Sequence, residues 1–381
     1  MELKPDFSFR PLPAIDRPLR FSLSAGPSPL GPLQELAEPP PPDSPSGSRA
    51  RGMWIGKGFN VIWRPNSTPG QDRFLELNLT DEVLEFEEIP GPIPNRGLLQ
   101  ADISMFGLTY LQQIKDGNNH AGLHVEPGIW ATVPQTENPA ERPTVVRMAS
   151  IPHGTAVLAQ GIATPISGPP VITNNDIIPF VIGNPAQKIQ FPEPDLSKQT
   201  NFRSPPADIA GISQAMVDNP NSVLVSALSG KNVKHTTVLE VSSSATAPVV
   251  GGGVANTAFL QGSPVAGPNT GPNAQAALVT ATFWIEAVDG LAGGPELHQL
   301  QYTQTVLLNF NGLSWPHITV GTLQRSRPYT VRQGDALSSI ALQVYGSDAE
   351  PFWRTIYNAN ITVIGPDPSV IAAGQQFNIP T

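Results

Sequence analysis

Short runs of alternating apolar and polar residues recur along most of this chain. In residues 74–79, Leu75, Leu77 and Leu79 alternate with polar neighbours, and a period of two gives a strand one apolar face. The other predicted strands are residues 83–89, 107–114, 124–133, 144–151, 156–160, 236–241, 276–288, 300–310 and 317–323. Many strands separated by Pro, Gly and Asn turns predict a mainly β fold, a large antiparallel barrel or a sandwich.

The composition suits this fold and excludes several kinds of site. The chain of 381 residues contains 43 Pro and 34 Gly, which fits many turns between short strands. It contains no Cys, so disulfides, zinc–thiolate sites, iron–sulfur clusters and Cys nucleophiles are excluded. Charged residues make up 14% and the net charge is -9. We expect no nucleic-acid partner, because phosphate binding needs clustered Lys and Arg.

The sequence also bears on the compartment. No run of about twenty apolar residues occurs, so no membrane span is expected. Residues 1–21 carry charges and prolines where a signal peptide needs an apolar core. We therefore expect a protein that is either cytoplasmic or exported by a non-conventional route.

Three segments follow one another along the chain. Residues 1–49 are Pro-rich and are predicted to form a disordered or extended tail. Residues 50–325 hold the predicted strands and form the barrel domain, with a loop-rich middle at 162–235 whose best helix candidate is 208–217. Residues 329–381 form a small module after a short link at 326–328.

This module has its own pattern in the order β-α-α-β. Residues 329–332 alternate like a strand, and Asp335 is a predicted N-cap for a helix that Gly346 ends. A second helix is predicted near residues 351–358, and residues 374–379 form the closing strand. A unit of this size buries most of its apolar side chains if it folds.

The β-α-α-β segment resembles a LysM domain, a small carbohydrate-binding module. The resemblance implies a glycan built from N-acetylglucosamine, such as peptidoglycan or chitin, bound between two loops. The matching positions are Gly334, Asp335, Ala336 and Leu337 in one loop and Asp367, Pro368, Ser369, Val370 and Ile371 in the other. Ala336 stands where the family usually has Thr, so one hydroxyl group is missing from the predicted groove.

Familiar catalytic patterns do not occur in the sequence. The six His residues form neither a His-x-x-x-His nor a His-Glu-x-x-His pair, and no Gly-x-Ser-x-Gly or P-loop sequence is present. No pair of carboxylates can be assigned to glycan hydrolysis. We therefore predict no catalytic residue, and the sequence leaves open whether the protein is an enzyme.

Five segments of the barrel region resemble, in order, the nitrobindins, a family of heme-binding β-barrels. They are residues 53–60, 107–112, 123–130, 145–161 and 316–320. The resemblance implies that His317 is the iron ligand of a bound heme and that an adjacent carbonyl or polar group fixes its tautomer. Heme held this way could react with nitric oxide, peroxynitrite or peroxide. Another apolar ligand, such as a lipid or pigment, is the alternative, because barrels of this size commonly hold a ligand cavity.

Together these patterns predict a two-domain protein. Its barrel binds a hydrophobic ligand, with heme as the first choice, and its LysM module tethers it to glycan. The alternative is a scaffold without a cofactor, in which the LysM module docks the chain into a larger protein assembly.

Overall fold

Ten antiparallel strands form a closed barrel in the computed structural model, which describes residues 29–40, 48–68, 70–244, 251–263 and 270–381. Each strand pairs with the next one along the chain, and the last pairs with the first. The strands are β1 (Arg51–Pro65), β2 (Arg73–Glu88), β3 (Ile103–Asp116), β4 (Gly122–Val133), β5 (Thr144–Ile151), β6 (Thr155–Ser167), β7 (Val233–Ser242), β8 (Gln275–Asp289), β9 (Glu296–Phe310) and β10 (Leu313–Thr330). The predicted mainly β fold and antiparallel barrel are confirmed.

The alternation in the sequence separates the barrel interior from its outer face. On β1, Trp54 and Asn60 belong to the interior, whereas Phe59 and Trp63 belong to an apolar cluster outside. Residues 74–79 and 83–89, predicted as two strands, are both parts of β2. Additional short strands are Ile93–Asn95, Thr136–Glu137, Ala140–Glu141 and Gly253–Asn256.

Residues 168–232 pack on the outer face of the barrel, and we call them the outer segment. They contain the short strands Phe180–Val181 and Asn184–Lys188 and the helices α1 (Gln214–Asp218) and α2 (Ser222–Leu228). Val217 and Leu224 are fully buried in the same cluster as Trp63, whose indole Nε1 donates to the Ile177 carbonyl at 2.9 Å. The helix predicted at residues 208–217 is shorter in the structure, where it runs from Gln214 to Asp218.

One end of the barrel is closed by residues before β1, which we call the plug. A 3-10 helix, Gly31–Leu36, buries Leu33 and Leu36 among interior side chains, and Trp54 Nε1 donates to the Leu36 carbonyl at 2.9 Å. Residues 29–40 thus pack on the barrel, although the sequence pattern assigned them to the tail. The remaining tail residues, 1–28 and 41–47, lie outside the described residues.

The C-terminal module, residues 329–381, grows directly out of the last barrel strand. Strand β10 extends to Thr330, and its final residues pair with β11 (Gln376–Pro380), so residues 326–328 are strand. Between these two strands lie three helices, α4 (Leu337–Tyr345), α5 (Glu350–Ala359) and α6 (Ile361–Ile364). Gly346 ends α4 with a φ of 76°, as predicted, but the N-cap is Ala336 and not Asp335.

Candidate functional site

A cavity of about 320 Å³ lies inside the barrel, at the end away from the plug. Its apolar wall consists of Ile62, Ile114, Leu123, Ile151, Leu260, Val306 and Leu308. Leu260 comes from α3 (Ala258–Gln261), which lies beside the cavity near the turn between β5 and β6. The volume is near the lower end of the range of roughly 300–1,000 Å³ found for small-molecule sites.

His317, the predicted iron ligand, lines this cavity from β10. On the neighbouring strands its register partners are Ile62 and Val306, so apolar side chains flank the imidazole. Burial, together with the nearby His124 and His153, lowers the pKa of His317 to about 3. The ring is therefore neutral at physiological pH and makes no hydrogen bond to the described part of the protein. The carbonyl or polar group expected to fix its tautomer is not found among the described residues.

Two further histidines lie at the mouth of the cavity. His124 and His153 stack with ring centroids 5.3 Å apart, and His153 Nε2 is 3.2 Å from His124 Nδ1. His124 Nε2 in turn lies 3.3 Å from Glu126 Oε2. Because a carboxylate only accepts, the His124 Nε2 that faces Glu126 is a donor, and His124 Nδ1 faces His153. The sequence analysis did not identify either histidine as a site residue.

A buried polar layer separates the cavity from the apolar interior near the plug. In one half of this layer, Glu126 pairs with Arg147 and accepts a hydrogen bond from Tyr110. Burial opposes ionisation of Glu126, but the Arg147 charge and the hydrogen bonds from His124 and Tyr110 outweigh it and lower the pKa of Glu126 to about 2. Glu126 is thus a permanent, fully buried carboxylate whose charge is matched by Arg147.

The other half of the polar layer surrounds Glu82. Tyr302 donates to Glu82 Oε2 at 2.6 Å, Thr80 donates to Oε1 at 2.7 Å, and Gln112 donates to the Tyr302 hydroxyl at 3.0 Å. Burial raises the pKa of Glu82 despite these hydrogen bonds. Gly58 makes room for this carboxylate, because a Cβ there would lie 2.5 Å from Glu82 Oε1.

The residues at hand match the simplest requirement of a heme site. One neutral imidazole opens into a cavity with apolar walls, which suits a single axial nitrogen ligand. Among the described residues, no three His, Asp or Glu side chains are grouped so that they could hold a bare metal ion.

The predicted glycan loops leave the same end of the β10–β11 pair. Val331 N–H donates to the Gln375 carbonyl at 2.9 Å, and Gly374 N–H donates to the Val331 carbonyl at 2.8 Å, so the two loop bases adjoin. Several of the nine predicted residues also shape the loops. Asp335 Oδ2 accepts from Arg332 N–H at 2.7 Å and from the Tyr329 hydroxyl at 2.9 Å.

The remaining positions in these loops differ in what they expose. Leu337 is buried in the module core and Ile371 packs against that core, whereas 61% of Val370 is exposed. Gly334 has a φ of 91°, which favours glycine. Asp367 accepts from Ser369 N–H at 2.9 Å and from its hydroxyl at 2.6 Å, and Pro368 lies between them. Ala336 carries no polar side chain, so Ser339 Oγ alone caps this helix end.

Comparison with known proteins identifies this module. Residues 329–380 match the family model described as "LysM domain". The C-terminal module is a LysM domain. This match supports binding of glycans that contain N-acetylglucosamine, which was the partner class predicted from the sequence. It covers only the LysM domain.

Two further comparisons used the whole chain. No curated protein matches the chain. Among solved structures, the chain is similar to the crystal structure of Rv2717c from M. tuberculosis, with 14% sequence identity and a TM-score of 0.30 over 72% of this chain and 92% of that chain. So distant a likeness carries no argument about function. The resemblance to nitrobindins, and heme binding with it, stays a prediction.

The described part of the chain contains no helix long and apolar enough to cross a membrane.

Proposed function

We propose that the barrel binds an apolar ligand in its cavity, with heme as the first candidate, and that the LysM domain holds the protein on peptidoglycan or chitin. The observation that carries this proposal is the placement of His317. Its imidazole is neutral, makes no described hydrogen bond and opens into a cavity with apolar walls. These are the properties of a nitrogen atom available to a ligand.

The position of the LysM domain supports a tethering role. The domain is attached at the plug end, whereas His317 lies at the opposite end of the same strand, twelve residues before Tyr329. At about 3.3 Å per residue, roughly 40 Å of strand separates the two positions. The cavity would therefore remain accessible while the LysM domain contacts a glycan.

The barrel residues would bind and shield such a ligand. His317 would bind the iron of heme, and the apolar wall would exclude water from the ring. Heme bound in this way would supply redox and nitric oxide or peroxide chemistry. The polar layer beneath, held by Glu126 and Arg147, gives the cavity a fixed floor that a ligand does not need to order.

Titration with hemin tests the first part of the proposal. The wild-type protein should bind one hemin and show a Soret band, and His317→Ala should lose this band or bind at least tenfold more weakly. His298→Ala is the matched control, since His298 is a partly buried histidine at the plug end and its loss should leave binding unchanged. If wild-type protein and His317→Ala bind hemin equally, His317 is not the ligand. If neither binds hemin or another apolar probe, the scaffold alternative is favoured.

Retention on insoluble glycan tests the second part. Val370→Glu places a charge on the exposed tip of one predicted loop and should reduce retention on peptidoglycan or chitin at least tenfold. Leu342→Glu is the control, because Leu342 is 52% exposed on α4, outside both loops. Ala336→Thr should strengthen retention by restoring the hydroxyl that the family usually has. Equal retention of all four proteins would contradict glycan binding through these loops.

A further inference from the structure

The floor of the cavity carries a set of hydrogen-bond donors that the apolar wall does not explain. Thr319 lies at the centre of this set on β10, with Asn60 as its register partner on β1 and Gln304 on β9. All three line the cavity. Side chains directly opposite one another on paired strands are about 4.5–5.5 Å apart at Cβ, so they form one continuous row.

Both amide side chains in this row use their carbonyl oxygens for hydrogen bonds within the protein. Arg147 can only donate, and its Nη1 contacts Gln304 Oε1, so the carbonyl oxygen of Gln304 faces Arg147. Thr319 Oγ1 donates to Asn60 Oδ1 at 3.1 Å, so the carbonyl oxygen of Asn60 is also engaged. The amino groups of Gln304 and Asn60 make no hydrogen bond within the described residues. At the floor, the carbonyl oxygens of both amides are therefore engaged, and their amino groups remain available to donate to a ligand.

The charges around the cavity are compatible with an oxygen acceptor. Among the described residues that line it, Glu76 is the one carboxylate, and Arg64 pairs with it at 2.8 Å. Below the floor, Glu126 is matched by Arg147. Glu82, the other carboxylate of the layer, has no cationic partner, but burial raises its pKa and Tyr302 and Thr80 donate to its two oxygens. These contacts reduce the repulsion that an anionic group at the floor would meet.

We infer that the cavity binds an apolar molecule that carries a carboxylate, and that the amino groups of Asn60 and Gln304 hold this carboxylate at the floor. This inference rests on the proposed function and names the chemical class of its ligand. Both a medium-chain fatty acid and heme, which has two propionates, belong to this class. Burial makes the contact selective, because an ammonium group placed against these N–H donors would gain no hydrogen bond from them.

Calorimetric titration with simple probes tests the inference. Wild-type protein should bind decanoate at least tenfold more tightly than decylamine, both below their micellar concentrations. Asn60→Asp replaces donors with acceptors and should reverse this preference. Asn60→Leu should weaken decanoate binding about tenfold with little effect on methyl decanoate. Thr305→Val, on the outer face next to Gln304, should change neither probe. Circular dichroism and the binding of methyl decanoate show that each variant is folded.

Hemin and its dimethyl ester distinguish the two sources of the carboxylate. If heme supplies it, the ester should bind at least tenfold more weakly than hemin, and Asn60→Leu should abolish this difference. Equal binding of decanoate and decylamine, together with equal binding of hemin and its ester, would overturn the inference and leave ligand binding in the cavity intact. Failure of the wild-type protein to bind any of these probes would overturn the proposed function as well.

Discussion

The two halves of the barrel interior are built from the same ten strands but are filled differently. At the plug end, Trp54, Trp130 and Phe283 fill the interior with large rings, and Leu33 enters from outside the barrel. At the other end, the strands carry shorter or polar side chains, and a cavity remains. Barrels wider than about eight strands have more interior than their side chains fill. The difference shows that a stable core and an open site can share one barrel when a closed polar layer separates them.

The largest expected effect comes from breaking this polar layer. Arg147→Ala leaves Glu126 buried without a counter-charge and should lower the free energy of unfolding by about 3–5 kcal/mol. Urea denaturation measures this loss. The double variant Glu126→Gln/Arg147→Met removes both charges and should recover most of it. A loss below about 1 kcal/mol for Arg147→Ala would mean that the layer does not support the barrel.

The same layer should make stability depend on acid pH. In the unfolded chain Glu126 takes up a proton near its ordinary pKa of 4.5, whereas in the folded barrel its pKa is about 2. Between these values the unfolded state binds more protons, so stabilisation present above pH 4.5 is lost as the pH falls towards 2. The loss should approach roughly 3 kcal/mol. Glu126→Gln should show a flatter pH profile, and an unchanged profile would contradict the assignment.

Truncating one leucine in each half of the barrel should lower the free energy of unfolding by amounts that differ by about 2 kcal/mol. Leu33→Ala removes a fully buried side chain and should cost about 3 kcal/mol, because it creates a new cavity. Leu308→Ala enlarges a cavity that already exists and should cost about 1 kcal/mol. Thermal and urea denaturation of both variants measure the difference. Equal costs would show that the cavity half is packed as tightly as the plug half.

The smallest effect on the free energy of unfolding should come from the ion pairs at the plug end and the cavity end of the barrel. Glu38 connects the plug to Arg325 and Arg327 and is largely shielded from solvent, so Glu38→Gln should cost about 1 kcal/mol. Glu76 pairs with the more exposed Arg64 at the cavity rim, and Glu76→Gln should cost less than about 0.5 kcal/mol. If Glu76→Gln costs more than Glu38→Gln, the ion pair at the cavity rim stabilises the barrel more than the ion pair at the plug.

The sequence predicted the barrel well because alternation is a local signal. All ten predicted strands fall in barrel strands: residues 276–288 lie wholly in β8, and residues 83–89 run one residue past the end of β2. Strand β1 gave a weaker signal, since Gly56 and Gly58 interrupt its inward-facing set. The reason appears only in three dimensions. Gly58 makes room for Glu82, and a Cβ at Gly321 would lie 2.5 Å from the Tyr302 ring.

The site was less predictable than the fold. His317 was singled out through a family resemblance, and the structure places it in the cavity. Asn60 and Gln304 were missed, because isolated amides on strands carry no distinctive spacing. An inward-facing position occupied by a polar residue, such as Asn60 or Gln112 within an otherwise apolar set, was the signal that could have found them.

The sequence by itself determined the class of the barrel and the identity of the LysM domain, because both depend on patterns within short stretches of chain. Only the tertiary structure decided where the polar layer lies, which end holds the cavity and which amides face it. Those features depend on contacts between distant residues, such as Tyr302 with Glu82, which are 220 positions apart. No local pattern encodes such a pairing, since closure of the barrel creates it.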